Sequence, residues 1–286
     1  MNRWIAVFLV TSTITLASRA TATVAPSKGV PVVTRQVYIS AVDSSGAPVT
    51  DLTAADIAVK EGGKERQVAS LQPAVAPMQV AILVEDGGLG SFQSGVAQFL
   101  QRSFGRGQFS ITLLTPQASL VVDFTDDVAA LKSAIGRLGL RGRVQTDGDQ
   151  MIDAIARAAK ALQQRKAERP IILALTVAGG QPESVDPRDV LNTLRSSGAG
   201  LNVVFVTGAE LGMVLGDGPG QSGGLLDQAS TGPAIAPALI KVADRLLRQY
   251  LLTYTLPDGV NPADRLSVST SRTGVTLTAP SRVAAK

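Results

Sequence analysis

The chain has 286 residues, 45% of them hydrophobic and only 4% aromatic, so it can bury a substantial core made mainly of Val, Leu, Ile and Ala. It contains no Cys and no His, which excludes disulfides, thiolate nucleophiles, a Ser-His-Asp triad and zinc sites built from those residues. The 27 Lys and Arg against 23 Asp and Glu leave a net charge of +4, too small a bias for a nucleic-acid footprint.

The opening MNRWIAVFLVTSTITLASRATATVA has one early basic residue, Arg3, then an apolar run from Trp4 to about Ala17, then small residues. That three-part pattern predicts a secretory signal over residues 1–22. Ala20-Thr21-Ala22 offers the cleavage site, with Ala20 and Ala25 as alternatives. The run is short for a membrane span, which needs about 20 apolar residues. No Cys follows it, which excludes a lipid-anchored lipoprotein. The expectation is an exported protein, periplasmic or secreted, with no membrane insertion after cleavage. Residues 23–31 read as a linker.

Residues 32–75 read as an N-terminal β segment. Val37, Ile39 and Ala41 alternate before an SSGAP turn; a second strand runs from Ile57 to Glu61, and a third from Arg66 to Leu71 beyond a GGK turn. From residue 76 to 249 the pattern changes to strands apolar on both faces, alternating with helices. MQVAILVED, QFSITLLTP, ASLVVDF, IILALTVA and LNVVFVTG read as strands. Helices are predicted over Ser91–Phe104, from Asp126-Asp127 to about Leu138, over Asp149–Lys166, from Asp186-Pro187 to Ser197, over Leu225–Ser230 and over Ala234–Tyr250. GDGPGQSGG, residues 216–224, reads as a mobile surface loop. Residues 250–286 return to short β segments with PDG and RTG turns. The expected fold class is α/β: a doubly wound, mainly parallel, Rossmann-like sheet, with a small discontinuous β domain assembled from the N- and C-terminal flanks.

Four motifs in order carry a resemblance. They are VDSSGAPVTDLTAADIAVKEGGKERQVASL, then VAILVEDGGLGS, then GDQMIDAI, then LLDQASTG followed by a helix and RQYLLTYTLP. Together they resemble the von Willebrand factor type A (vWA) domains, and more closely the bacterial exported VWFA-related proteins. The resemblance implies a domain that binds protein ligands. In many such domains Mg²⁺ or Mn²⁺ sits at the carboxyl end of the sheet, held by D-x-S-x-S, a Thr and an Asp from three loops. A hard divalent ion needs about six oxygen ligands, which explains those residue types.

This chain departs from that set. With Glu85 in the Asp position, the serine positions hold Gly87 and Leu89; with Asp86 there, they hold Gly88 and Gly90. Asp149 stands in the Thr position, and LTVAGG puts Val177 or Ala178 where the last acid belongs. The expectation is therefore that no metal binds, with Asp86, Ser91 and Asp149 as remnant positions that a rebuilt Mg²⁺ or Mn²⁺ site would use. No catalytic residue and no cofactor-binding residue is expected. EDGGLGS lacks the third Gly of a dinucleotide fingerprint and the Lys of a P-loop. LRGR, residues 140–143, reads as a solvated loop or a surface for acidic partners.

The expected function is an exported, non-enzymatic protein-interaction module with a largely lost metal site. It would bind an unidentified protein partner, and no nucleic acid, through loops that include Gly87, Gly88, Ser91, Thr146, Asp149 and Gln181. Alternatives are a metal-dependent adhesion domain, an exported hydrolase and a small-molecule binding protein.

Overall fold

A computed structural model describes residues 32–144, 149–177, 185–206, 208 and 211–285. The signal and linker expectations, and the candidate contact residues Thr146 and Gln181, lie outside the described residues. So does the side chain of Asp149.

Twelve strands pair into two sheets of six among the described residues. The flanks build the first. They supply β1 (Val32–Val42), β2 (Ile57–Glu61), β3 (Lys64–Pro73), β10 (Tyr250–Pro257), β11 (Leu266–Thr270) and β12 (Thr276–Thr278), in the order β11-β2-β3-β10-β1-β12. Every pairing in it is antiparallel. Alternation sets one face inward: Ile57, Val59 and Glu61 on β2, and Tyr250, Leu252, Tyr254 and Leu256 on β10, are buried while their neighbours are not. All of these side chains except Glu61, with Ile39 and Ala41 of β1, form a core of their own.

The second sheet holds β4 (Met78–Glu85), β5 (Gly107–Leu113), β6 (Ser119–Thr125), β7 (Arg169–Thr176), β8 (Gly200–Val206) and β9 (Leu226–Ala229), ordered β6-β5-β4-β7-β8-β9. The pairs β4–β5, β4–β7, β7–β8 and β8–β9 are parallel, and β5–β6 is antiparallel. Six helices connect its strands: α1 (Gln93–Ser103), α2 (Val128–Gly136), α3 (Asp149–Gln164), α4 (Pro187–Ser197), α5 (Met213–Ser222) and α6 (Gly232–Leu247). One core cluster packs α1, α2 and α6 against one face, and another packs α3, α4 and α5 against the other. On the first face Phe99 meets Phe109 edge-on with centroids 6.3 Å apart, a geometry worth about 0.5–1.5 kcal/mol beyond area burial.

This corrects the expected fold class. A doubly wound parallel sheet with a small β appendage does not describe the chain. Six of the ten pairings between these strands are antiparallel, the second sheet is mixed, and the antiparallel sheet equals it in strand number. Residues 32–286 cluster as one compact unit. The reason is that β10 is central, pairing with β1 over eight positions and with β3 on its other side. Two flanks that each lack a core thus complete one another.

Two local expectations also change. GDGPGQSGG contributes to a helix, α5, instead of a mobile loop, and Val214, Leu215, Gly218 and Pro219 are buried there. A Cβ on Gly218 would sit 2.9 Å from Leu201 Cδ2, so the small residue permits close packing of α5 on β8. Leu225–Ser230 holds a strand, β9, rather than a helix, with Asn202 Oδ1 accepting from Leu225 N at 3.1 Å at its entry.

Candidate functional site

Strand β4 is buried almost throughout and ends in Glu85, with Asp86 opening the loop that follows. Glu85 is 2% exposed, and its Oε2 accepts from Thr176 Oγ1 at 2.8 Å. That threonine closes β7 directly opposite, in register with Glu85. Asp86 is fully buried. An ionised carboxylate in such a place needs charge compensation and hydrogen bonds, and the chain supplies both. Asp86 Oδ1 accepts from Gly88 N at 2.9 Å and Oδ2 from Gly90 N at 2.9 Å, so the loop folds over its own first residue. Arg141 Nη2 then meets Oδ1 at 2.7 Å.

Arg141 arrives on the segment that leaves α2, and its Nη1 donates to Arg137 O at 3.1 Å and Gly139 O at 2.8 Å. Main-chain bonds lock this segment to the glycine loop: Arg141 N to Gly88 O at 2.9 Å and Val144 N to Gly87 O at 2.8 Å. The contact is too close for side chains. Gly88 has φ +78, and a Cβ there would lie 2.0 Å from Gly142 O. Gly90, φ +72, would meet Gly139 C and Leu140 N at 3.0 Å. The glycines of EDGGLGS therefore serve a loop-to-loop clamp.

The sequence-derived candidates are distributed around this clamp. Asp86 is its centre. Gly87 and Gly88 are buried beneath the Arg141 segment, whereas Leu89 and Leu140 stand exposed on top. Ser91 is half-buried and no hydrogen bond joins it to Asp86. Helix α3 begins at Asp149. The arrangement around Asp86 does not fit a divalent ion, because a guanidinium already lies against Oδ1 and main-chain N–H groups hold both oxygens. LRGR reads in sequence as a solvated loop or a surface for acidic partners, whereas its Arg141 turns its guanidinium onto the chain's own Asp86, a role the sequence reading does not assign. The one available signal was Asp86 itself, a charge at the end of a buried strand that demands a partner. Asp127, read as a helix cap, accepts from Ala129 N at 2.8 Å at the start of α2.

Two clefts, of about 380 and 650 Å³, lie at the opposite end of the second sheet. Arg169, at the start of β7, lines both. It is 4% exposed and hydrogen-bonded to neutral acceptors only: Gln249 Oε1 from Nε at 3.2 Å and Nη2 at 2.9 Å, Ala74 O, and Leu246 O. Burial pulls its pKa down to about 10. The Tyr38 ring lies 5.4 Å beneath its guanidinium; burial in turn pushes the Tyr38 phenol up, an effect that Arg169 partly offsets.

No family model matches the chain, and no curated protein matches it in sequence. Among solved structures, it is similar to proximal thread matrix protein 1 from the mussel byssus, at 13% identity and TM-score 0.44, over 66% of this chain and 50% of that one. It thus spans about half the length of that protein. It is also similar to BatB from Bacteroides thetaiotaomicron, at 9% identity and TM-score 0.43, over 60% of this chain and 98% of that one. An aerotolerance-related membrane protein from Bacteroides fragilis aligns at 11% identity and TM-score 0.40, over 59% and 98%. Likenesses this faint say nothing of what the chain binds. No helix among the described residues is long and apolar enough to cross a membrane.

Proposed function

We propose that this chain is an exported, non-enzymatic protein-interaction module, related to the vWA domains, in which an internal ion pair stands where such domains hold a metal. One observation supports this reading above the others: Asp86 is fully buried and held by Arg141 and two main-chain N–H groups. The chain's own guanidinium meets the electrostatic need that a divalent cation meets elsewhere. Partner binding on this face is then metal-independent. It falls to residues that stand clear of the clamp, with Leu89 and Leu140 in front of the buried Gly87 and Gly88.

Thermal melts in EDTA and then in excess Mg²⁺ or Mn²⁺ test the reading. A ligand at 100 times its dissociation constant adds about 2.7 kcal/mol to the folded state, or several degrees in Tm. No shift with either ion is expected. A shift that disappears in Asp149→Ala would instead install the metal-dependent alternative. Export is tested separately by the N-terminal residue of the protein recovered outside the cytoplasm, with Thr23 expected for cleavage after Ala22.

A further inference from the structure

In and beside one cleft, five arginines stand against three carboxylates. Glu61 is fully buried and divided between Arg35 and Arg66, the second at 3.6 Å. Asp264 is likewise divided, between Arg282 at 2.6 Å and Arg195 at 3.4 Å. Arg169 pairs with no carboxylate among the described residues, and Glu168 beside it is exposed. The group carries two positive charges in excess.

Four of these arginines, Arg35, Arg169, Arg195 and Arg282, line the cleft of about 380 Å³. The cleft lies between β1, the starts of β7 and β8, and the chain around Pro280. The Arg195 side chain is 27% exposed and its Nη2 donates to Asn192 Oδ1 at 2.7 Å, while its charge has only a shared acid at 3.4 Å. Other walls are apolar, including Val37 and Leu251. The volume is that of a small-molecule site, and such sites combine apolar walls with a few convergent polar groups. Guanidinium forks match carboxylate and phosphate oxygens in geometry as well as charge.

We propose that this cleft binds a small organic anion bearing a carboxylate or phosphate group, held by Arg195 and Arg282 in the positive field of Arg169. The anion balances the excess charge. The site lies at the amino-terminal ends of β7 and β8, away from Asp86 at the carboxyl end of β4, so it stands or falls independently of the interaction face.

The test is isothermal titration calorimetry of the full chain in chloride buffer, with citrate and with inorganic phosphate as probes. Saturable one-to-one binding of at least one probe is expected, and the responding probe tells a carboxylate site from a phosphate site. The double variant Arg195→Gln/Arg282→Gln should bind roughly tenfold more weakly or worse, the scale of a lost charge-assisted hydrogen bond. Asp264→Asn frees both arginines from their shared acid and should bind more tightly, a gain that a purely structural role would not produce. A flat titration with both probes, or an affinity that the double variant leaves unchanged, overturns the proposal. If the double variant loses the wild-type circular dichroism, Asp264→Asn decides alone: tighter binding supports the site, and unchanged or weaker binding overturns it.

Discussion

Arg141 Nη2 lies 2.7 Å from Asp86 Oδ1 and thereby joins two loops 55 residues apart. The carboxylate is fully buried and the arginine side chain 24% exposed, so the pair is shielded on the acid's side. Removing one partner of such a pair leaves an uncompensated buried charge, which costs about 3–5 kcal/mol when the burial is complete. Arg141→Met should fall near the lower end of that range, because water reaches the vacated position. Replacing both charges, in Asp86→Asn/Arg141→Met, should recover part of the loss, since two neutral groups need no counter-charge. Urea unfolding of the two variants checks this. Equal stability of Arg141→Met and wild type would mean that the pair contributes nothing.

The clamp also makes a steric prediction. Gly88→Ala places a Cβ 2.0 Å from Gly142 O at a positive φ, so both strain and collision oppose it. Gly142→Ala, at φ +96 with nothing within 4 Å, carries the strain alone. Strained backbone of this kind costs about 1–3 kcal/mol. Gly88→Ala should therefore lower Tm well beyond Gly142→Ala, and similar melting of the two would show that the loops separate readily.

These two loops illustrate what the sequence disclosed and what it did not. Local signals were legible. The unbroken apolar runs of β4, β7 and β8 announced strands, and Asp127 and Asp186 announced helix starts, each accepting from the main chain two residues on. Assembly was only partly legible. The return to short β segments after residue 250 suggested that the two flanks join, but strand pairing over some 180 residues leaves no periodic trace, so neither the strand order nor the central place of β10 could be read. Helix α5 was hidden because three glycines inside it argue for a loop, whereas packing on Leu201 favours the small side chains. At the candidate site the acid was visible but its partner was not. Arg141 looks like any loop arginine until the fold brings it to Asp86.

The antiparallel sheet predicts an alkaline response. Tyr254 is fully buried on β10, and burial pushes its phenol up to about 12 from an ordinary 10, with Glu61 adding to the rise and Arg35 opposing it. A folded-state pKa above the unfolded value means that the neutral phenol is favoured by folding. Its contribution to stability is complete below pH 10 and is lost as the pH climbs from 10 towards 12. Ultraviolet titration of tyrosinate should thus end in a late step that Tyr254→Phe removes. The variant should also lose less stability than wild type across that interval. A wild-type titration complete near pH 10 would contradict the burial of this ring.

Arg169 ties together both crossings between the sheets. The chain leaves the antiparallel sheet at Ala74 and returns to it at Gln249, and Ala74 N donates to Gln249 O at 2.8 Å. The guanidinium of Arg169 binds the Ala74 carbonyl, the Gln249 side chain and the Leu246 carbonyl at the end of α6, where a cation also suits the helix dipole. Arg169→Met fits the apolar stem but leaves these acceptors without a donor. Each buried group so stranded costs about 1–3 kcal/mol, while the relief of an unpaired buried charge offsets part of it. A net loss of roughly 2–4 kcal/mol is expected, larger than for Arg195→Gln, whose acid partner keeps Arg282. Hydrogen exchange should place the new weakness at the two crossings, in residues 73–78 and 246–250. Unchanged protection there, with stability equal to wild type, would mean that the main-chain bond from Ala74 to Gln249 holds the junction without the arginine.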